Sequence, residues 1–189
     1  MAQEGLMDSG LPTLSDGRFT LRPWRANDLD DLAPAVRDPD VLRWCISIPD
    51  PYGDEDGRAF LAARTTGWKE SGEAYFAVCD GPSGRLLGGA GLDVDLGTGV
   101  GETGYWIGRK ERRRGAAAAA LRLLATWGFD DLDLARMSAH IHIDNAPSQR
   151  TVRSVGFVRE GVLRSYRADQ RGVRGDYVIY SLLPDDAHR

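Results

Sequence analysis

From Arg18 to Trp24, apolar Phe19 and Leu21 and then Pro23 alternate with Arg18, Thr20 and Arg22, the period-two signature of a half-buried strand that proline ends. A helix is predicted next. Leu29, Leu32, Ala33 and Val36 share one helical face, Asn27 is the expected cap, Asp28, Asp30 and Asp31 suit its positive end, and Asp38-Pro39 stops it. A short helical turn over residues 41–45 and a loop over 49–53 precede a longer helix, opened by Asp54 or Asp56 and running to about Lys69.

The period then changes from 3.6 to 2. Strands are predicted at 74–79, 86–94 and 101–108, divided by Gly81-Pro82-Ser83-Gly84 and Gly97-Thr98-Gly99. Helical spacing returns over 116–128 through Leu121, Leu124, Ala125 and Gly128, and the alanine run there is both a strong helix former and small enough to lie close on a sheet. In 136–143, Met137, Ala139, Ile141 and Ile143 alternate as a core face with Arg136, Ser138, His140 and His142. Asp144 or Asn145 caps a short helix that ends at Gly156, and 157–167 with 173–182 form a closing hairpin around 169–172. This order predicts an α/β (α+β) sandwich around a mixed sheet, without an internal repeat.

At 189 residues and 42% hydrophobic content the chain suits one domain, over residues 17–184, able to bury about 70% of its unfolded surface. Residues 1–16 read as a flexible leader without the apolar run of a signal peptide, and 185–189 as a tail. The net charge of -4 argues against nucleic acid as a partner. No run approaches the roughly 18 apolar residues of a membrane span. Cys45 and Cys79 lie far apart without metal-type spacing, and His140 with His142 lack a third ligand, so no metal is expected and a reducing cytoplasm is the expected compartment.

Charge changes the picture at one place. Five of the six residues from Arg109 to Arg114 are cationic, and they run into Gly115, Ala116 and Ala117 at a helix start. Unpaired amides and the positive end of the helix dipole bind anionic phosphate, and small residues let the anion reach them. Like charge here opposes helix stability, which favours an anion site over a solvated charge run. All cations of the chain except Lys69 and Lys110 are arginines, suited to forked phosphate contacts.

Arg112-x-x-Gly115-x-Ala117 resembles the coenzyme A motif of GNAT acyltransferases, with Arg113 where glycine is common. Leu21-Arg22-Pro23-Trp24, Gly104-Tyr105-Trp106-Ile107, Asn145-Ala146-Pro147-Ser148 and Gly156-Phe157-Val158-Arg159-Glu160-Gly161 resemble the RimJ/RimL-like branch, whose characterised members acetylate ribosomal-protein N-termini. The resemblance implies a mostly antiparallel sheet of about seven strands flanked by about four helices and splayed between strands four and five. It implies acetyl-CoA, or another acyl-CoA, as co-substrate, bound by Arg109, Arg112, Arg113, Arg114, Gly115, Ala116, Ala117 and Asn145, with pantetheine in the splay near Trp106, Ile107 and Gly108. The Ile107 amide would polarise the thioester carbonyl, Glu102 would accept the amine proton, and Ser148 would protonate the thiolate.

Trp44, Tyr52 and Glu102 are candidates for the acceptor pocket, the acceptor being a protein N-terminus or a small amine. Arg164, Arg167, Arg171 and Arg174 read either as a solvated hairpin or as a selector for an acidic acceptor. A homodimer is the family expectation. The rival reading is a non-catalytic acyl-CoA-binding module, which needs the basic turn but neither Glu102 nor Ser148.

Overall fold

The computed structural model describes residues 10–187. One sheet has the order β1-β2-β3-β4-β5-β6-β8-β7. Its strands are β1 (Leu14–Ser15), β2 (Phe19–Pro23), β3 (Glu73–Asp80), β4 (Leu86–Asp95), β5 (Val100–Ile107), β6 (Arg136–His142), β7 (Val158–Ala168) and β8 (Arg174–Leu182). The helices are α1 (Leu29–Val36), α2 (Pro39–Trp44), α3 (Asp54–Ala63), α4 (Gly67–Ser71), α5 (Ala116–Asp130), α6 (Ala146–Val155) and α7 (Pro184–Ala187). All pairings are antiparallel except β5 with β6, and that parallel pair needs the crossover that α5 supplies. The expected mixed α/β class holds. Eight strands and seven α-helices, rather than about seven and four, stand among the described residues.

A core lies on each face of the sheet. On one side Ala120, Leu121 and Leu124 of α5 pack on Phe76, Leu92 and Met137, all fully buried. Each such large side chain contributes about 1.5–3 kcal/mol through removal from water. On the other side Leu32, Ala33 and Val36 of α1 meet Leu61, Ala77 and Leu86. Gly88 shows why β4 is glycine-rich, since a Cβ there would stand 2.2 Å from the Trp106 carbonyl oxygen. The two strands could not then keep their spacing.

Local expectations fail where a tertiary contact or a competing polar group takes over. Asn27 does not cap α1. The buried Asp28 carboxylate accepts the Arg25 amide at 2.7 Å and the Arg22 guanidinium at 2.6 and 2.8 Å, pinning the helix entry to the end of β2. The helix expected to reach Lys69 breaks into α3 and α4, because the Thr65 hydroxyl donates to the Ala62 carbonyl at 2.6 Å in a Thr-Thr-Gly stretch of weak helix formers. Ile143 leaves the core face and is 44% exposed, one residue past the end of β6.

Of the leader, residues 1–9 lie outside the described ones. Leu14 and Ser15, also assigned to it, pair with Leu21 and Thr20, and Leu11 and Leu14 pack on the core. Residues 185–187 of the expected tail are helical within α7. Among the described residues no helix is long and apolar enough to cross a membrane.

The sheet opens at β5 and β6. They pair only at Val100 with Arg136, Gly101 with Met137 and Glu102 with Ser138. Beyond those rungs β5 stays paired to β4 as far as Ile107, and β6 to β8 as far as His142. Each strand is thus held by its other neighbour while the two diverge, which is the splay expected between the fourth and fifth predicted strands.

Candidate active site

The splay opens into a cavity of about 860 Å³ reached by both faces of the sheet. Its aromatic wall joins Trp24, Phe60 and Trp106, with Trp24 and Trp106 stacked at 6.5 Å and Trp24 edge-on to Phe60 at 5.3 Å. Trp44 and Tyr52 both line it, Trp44 with its ring 5.3 Å from that of His142. Tyr52 is buried and also belongs to the α1–α3 core.

Glu102 stands at the last paired rung, so its carboxylate sits at the root of the opening. One oxygen accepts from Arg167 at 2.7 Å, and the other lies 3.0 Å from His140 Nδ1. Burial pushes this carboxyl up, but the hydrogen bonds from His140 and Arg167 outweigh it and the net displacement is downward. Glu102 is therefore a carboxylate at neutral pH. Asp93, its cross-strand neighbour on β4, moves the other way, raised by burial, although Tyr75 donates to it at 2.6 Å.

Arg167 reaches the cavity because the hairpin is irregular. Leu163 pairs with Tyr177 and Arg167 with Gly175, so residues 164–166 oppose Asp176 alone. Ser165 takes a left-handed φ of 51°, and its amide donates to the Asp176 carboxylate at 2.8 Å. Such a bulge re-aims the residues after it. Of the four hairpin arginines, Arg167 alone lines the cavity, while the Arg174 and Arg171 side chains bond to neighbours within the hairpin.

Ser148 approaches from the opposite face. Asn145 caps α6 by accepting the Ser148 amide at 3.2 Å, which fixes the first turn, and the Ser148 hydroxyl lies 2.8 Å from the Tyr105 hydroxyl. Burial raises the Tyr105 phenol, so it stays protonated. Local pattern does not mark Tyr105 as a site residue. Its alternation to the opposite face from Glu102 was visible, but its partner lies 43 positions away.

Backbone polarity also divides the candidates on β5. The Gly108 amide donates to the Leu87 carbonyl at 2.9 Å, toward β4. By ladder alternation the Trp106 amide also faces β4, and the amides of Ile107 and Tyr105 face the splay. Of the three residues expected near pantetheine, only Ile107 therefore offers its amide to the gap. Gly104, exposed, precedes them on β5.

The basic turn precedes α5. Arg109, Arg113, Arg114 and Gly115 are exposed, Ala116 is buried and Ala117 half-buried. Arg113 keeps a left-handed φ of 63° and Gly115 one of 89°, so arginine at the usual glycine place preserves a glycine-type backbone. Arg112, expected among the phosphate ligands, bonds to Asp38, to Asp40 at 2.7 Å and to the Ile107 carbonyl at 3.0 Å. Arg114 is paired with Glu111 at 2.8 Å.

Polar groups from two diverging strands, below the N-terminus of a crossover helix with open amides, define an acyltransferase architecture. The chain belongs to the acetyltransferase (GNAT) domain family, whose model matches residues 18–158. It is 30% identical to the uncharacterized N-acetyltransferase p20 of Bacillus licheniformis over 92% of this chain and 97% of that one. Its fold matches a ribosomal-protein-S5-alanine acetyltransferase from Vibrio fischeri with a TM-score of 0.79 at 19% identity, covering 93% of this chain and 98% of that chain. It also matches the microcin C7 self-immunity acetyltransferase MccE, a structure in complex with acetyl-CoA and AMP, with a TM-score of 0.78 at 20% identity over 89% and 93% of the two chains.

Proposed function

We propose that this acetyltransferase moves an acetyl group from acetyl-CoA to a primary amine by direct attack within a ternary complex. The observation that carries the reading is the splay itself, which brings the Tyr105–Ser148 hydroxyl pair and the Glu102 carboxylate around one cavity, with the Ile107 amide turned toward the gap from the end of β5. The open amides at the start of α5 and the exposed Arg109, Arg113 and Arg114 suit a pyrophosphate, with Gly115 and Ala117 leaving it room. Arg112 holds this turn to Asp38 and Asp40 rather than meeting the anion. Asn145 fixes the turn that presents Ser148.

In this reading the Ile107 amide donates to the carbonyl oxygen as negative charge develops there. The amine loses a proton to the Glu102 cluster and its lone pair forms the C–N bond. As the C–S bond breaks, the Ser148 hydroxyl delivers a proton to sulfur. Trp44, Tyr52 and Trp106 wall the acceptor, which is a protein N-terminus or a small amine. Wild-type protein incubated with acetyl-CoA and with either a peptide bearing a free N-terminal serine or phenethylamine should release thiol and gain one acetyl mass on one amine. Bound acetyl-CoA with no transfer to amines of either kind would remove the reading. Cytoplasmic residence and a homodimer complete the proposal on family resemblance, and light scattering tests the second.

A further inference from the structure

The Glu102 carboxylate is the expected proton acceptor, yet its two oxygens already face Arg167 at 2.7 Å and His140 at 3.0 Å. Both partners are donors, and both favour the ionised form over a protonated one. A carboxylate so held makes a weak base. His140 sits differently. It lies on β6 two residues beyond the last rung with β5, its side chain only 11% exposed, and it lines the cavity.

Its contacts converge on one nitrogen. Glu102, the Tyr166 hydroxyl at 3.3 Å and Arg167 at 3.5 Å all approach Nδ1, and none among the described residues approaches Nε2. The shortest of the three is to an ionised carboxylate, which only accepts. A lone pair on Nδ1 would face that oxygen across 3.0 Å, so the proton belongs on Nδ1 and the lone pair on Nε2. Arg167 is already satisfied by the other Glu102 oxygen, and the Tyr166 hydroxyl can turn. Tyr166 also packs edge-on against the imidazole at 5.1 Å, fixing the ring plane. The titratable and charged neighbours are Glu102 on β5, Tyr166 and Arg167 on β7, Tyr177 on β8 beyond Tyr166, and Asp93 on β4 beyond Glu102.

We infer that His140 Nε2 is the general base of the transfer, and that Glu102 is a positioning residue that sets its tautomer and steadies the imidazolium once formed. This deepens the acetyl-transfer reading and rests on it. The amine arrives as ammonium and gives one proton to Nε2, which passes it to solvent. The neutral nitrogen then attacks the thioester carbon, the C–N bond forms and the C–S pair leaves on sulfur. The second proton shed by nitrogen balances the one that Ser148 delivers to sulfur, so the products are amide, thiol and one released proton.

Two measurements on the full chain test this. The chain has three histidines, His140, His142 and His188, so imidazole ¹⁵N shifts are assignable with H140Q and H142Q. Neutral His140 should carry its proton on Nδ1 in the wild type and shift toward the Nε2–H form in E102Q. A wild-type Nε2–H form overturns the inference without any assay of turnover. With acetyl-CoA and the N-terminal serine peptide or phenethylamine, H140Q should lower kcat about 100-fold at pH 7. Its KM for acetyl-CoA should hold, and with the peptide the deficit should shrink at pH 9, where an α-amino group is already neutral. Wild-type rates in H140Q beside a dead E102Q would make Glu102 the base and overturn the inference while leaving acetyl transfer intact. Transfer to neither amine by wild type, with the Nδ1–H tautomer present, would instead remove acetyl transfer and the base role together.

Discussion

The hydroxyl oxygens of Tyr105 and Ser148 lie 2.8 Å apart, joining β5 to the first turn of α6 across the splay. Ser148 is the one that would face the leaving sulfur, and Tyr105 is the group able to replace its proton. Tyr105→Phe should lower kcat by roughly tenfold, and Ser148→Ala by about 100-fold, within the usual range for proton transfer by a positioned group. Acetyl-CoA affinity, read by calorimetry, should stay within about twofold in both. A large loss of affinity in Tyr105→Phe would place this pair in binding instead.

Arg112 and Asp38 offer a sign test of the basic turn. If the Arg112 guanidinium meets phosphate, removing its carboxylate partner should leave or improve acetyl-CoA binding. If it anchors the turn, Arg112→Ala and Asp38→Ala should weaken acetyl-CoA binding together, each by about tenfold, and the double variant should fall no further than the worse single one. The contacts to Asp38, Asp40 and Ile107 favour the second outcome.

Arg113 separates charge from backbone. Its φ of 63° is costly for a residue with a Cβ, by about 1 kcal/mol. Arg113→Gly and Arg113→Ala remove the same charge, so they should weaken acetyl-CoA binding alike, about threefold at low salt and less at high salt. They should part in stability, with the glycine variant the more stable by about 1 kcal/mol in chemical denaturation. Equal stability would mean that the left-handed turn relaxes.

Arg22 and Asp28 predict the acid limb of stability. Burial pushes the Asp28 carboxyl up, but the Arg22 hydrogen bonds and the Arg25 amide reverse this and leave it below its ordinary value. Its contribution is therefore complete above the ordinary carboxyl range near about pH 4 and is lost as pH falls through the lowered folded value. Asp28→Asn should cost about 1–3 kcal/mol at pH 7, because it leaves the half-buried Arg22 guanidinium without its counter-charge. The gap to wild type should narrow in acid, as urea melts at pH 7 and pH 3 would measure.

Much of this was legible in local pattern. The strands over 74–79, 86–94 and 101–108 and the Asn145 cap follow from period and capping chemistry, which act over a few residues and leave their mark in spacing. The split of α3 from α4 leaves no mark in the periodicity, because a single Thr65 hydroxyl bonded to the Ala62 carbonyl decides it. Local pattern reads Arg167 equally as a solvated hairpin residue and as an acceptor selector, since nothing near it in sequence announces that residues 164–166 bulge against Asp176.

Sequence alone determined the order of elements, the basic turn ahead of a small-residue helix and the resemblance to acyltransferases, because each depends on neighbours within about two turns of chain. Only the tertiary structure decided which side chains share the cavity. Glu102, His140 and Arg167 come from three strands across 65 positions, and they meet because β5 and β6 part after one short parallel ladder while a bulge turns β7 inward. Arg112 shows the converse. Its place in a phosphate-type motif is read locally, but its partners Asp38 and Asp40 lie more than 70 positions away, and packing rather than spacing set what its charge does.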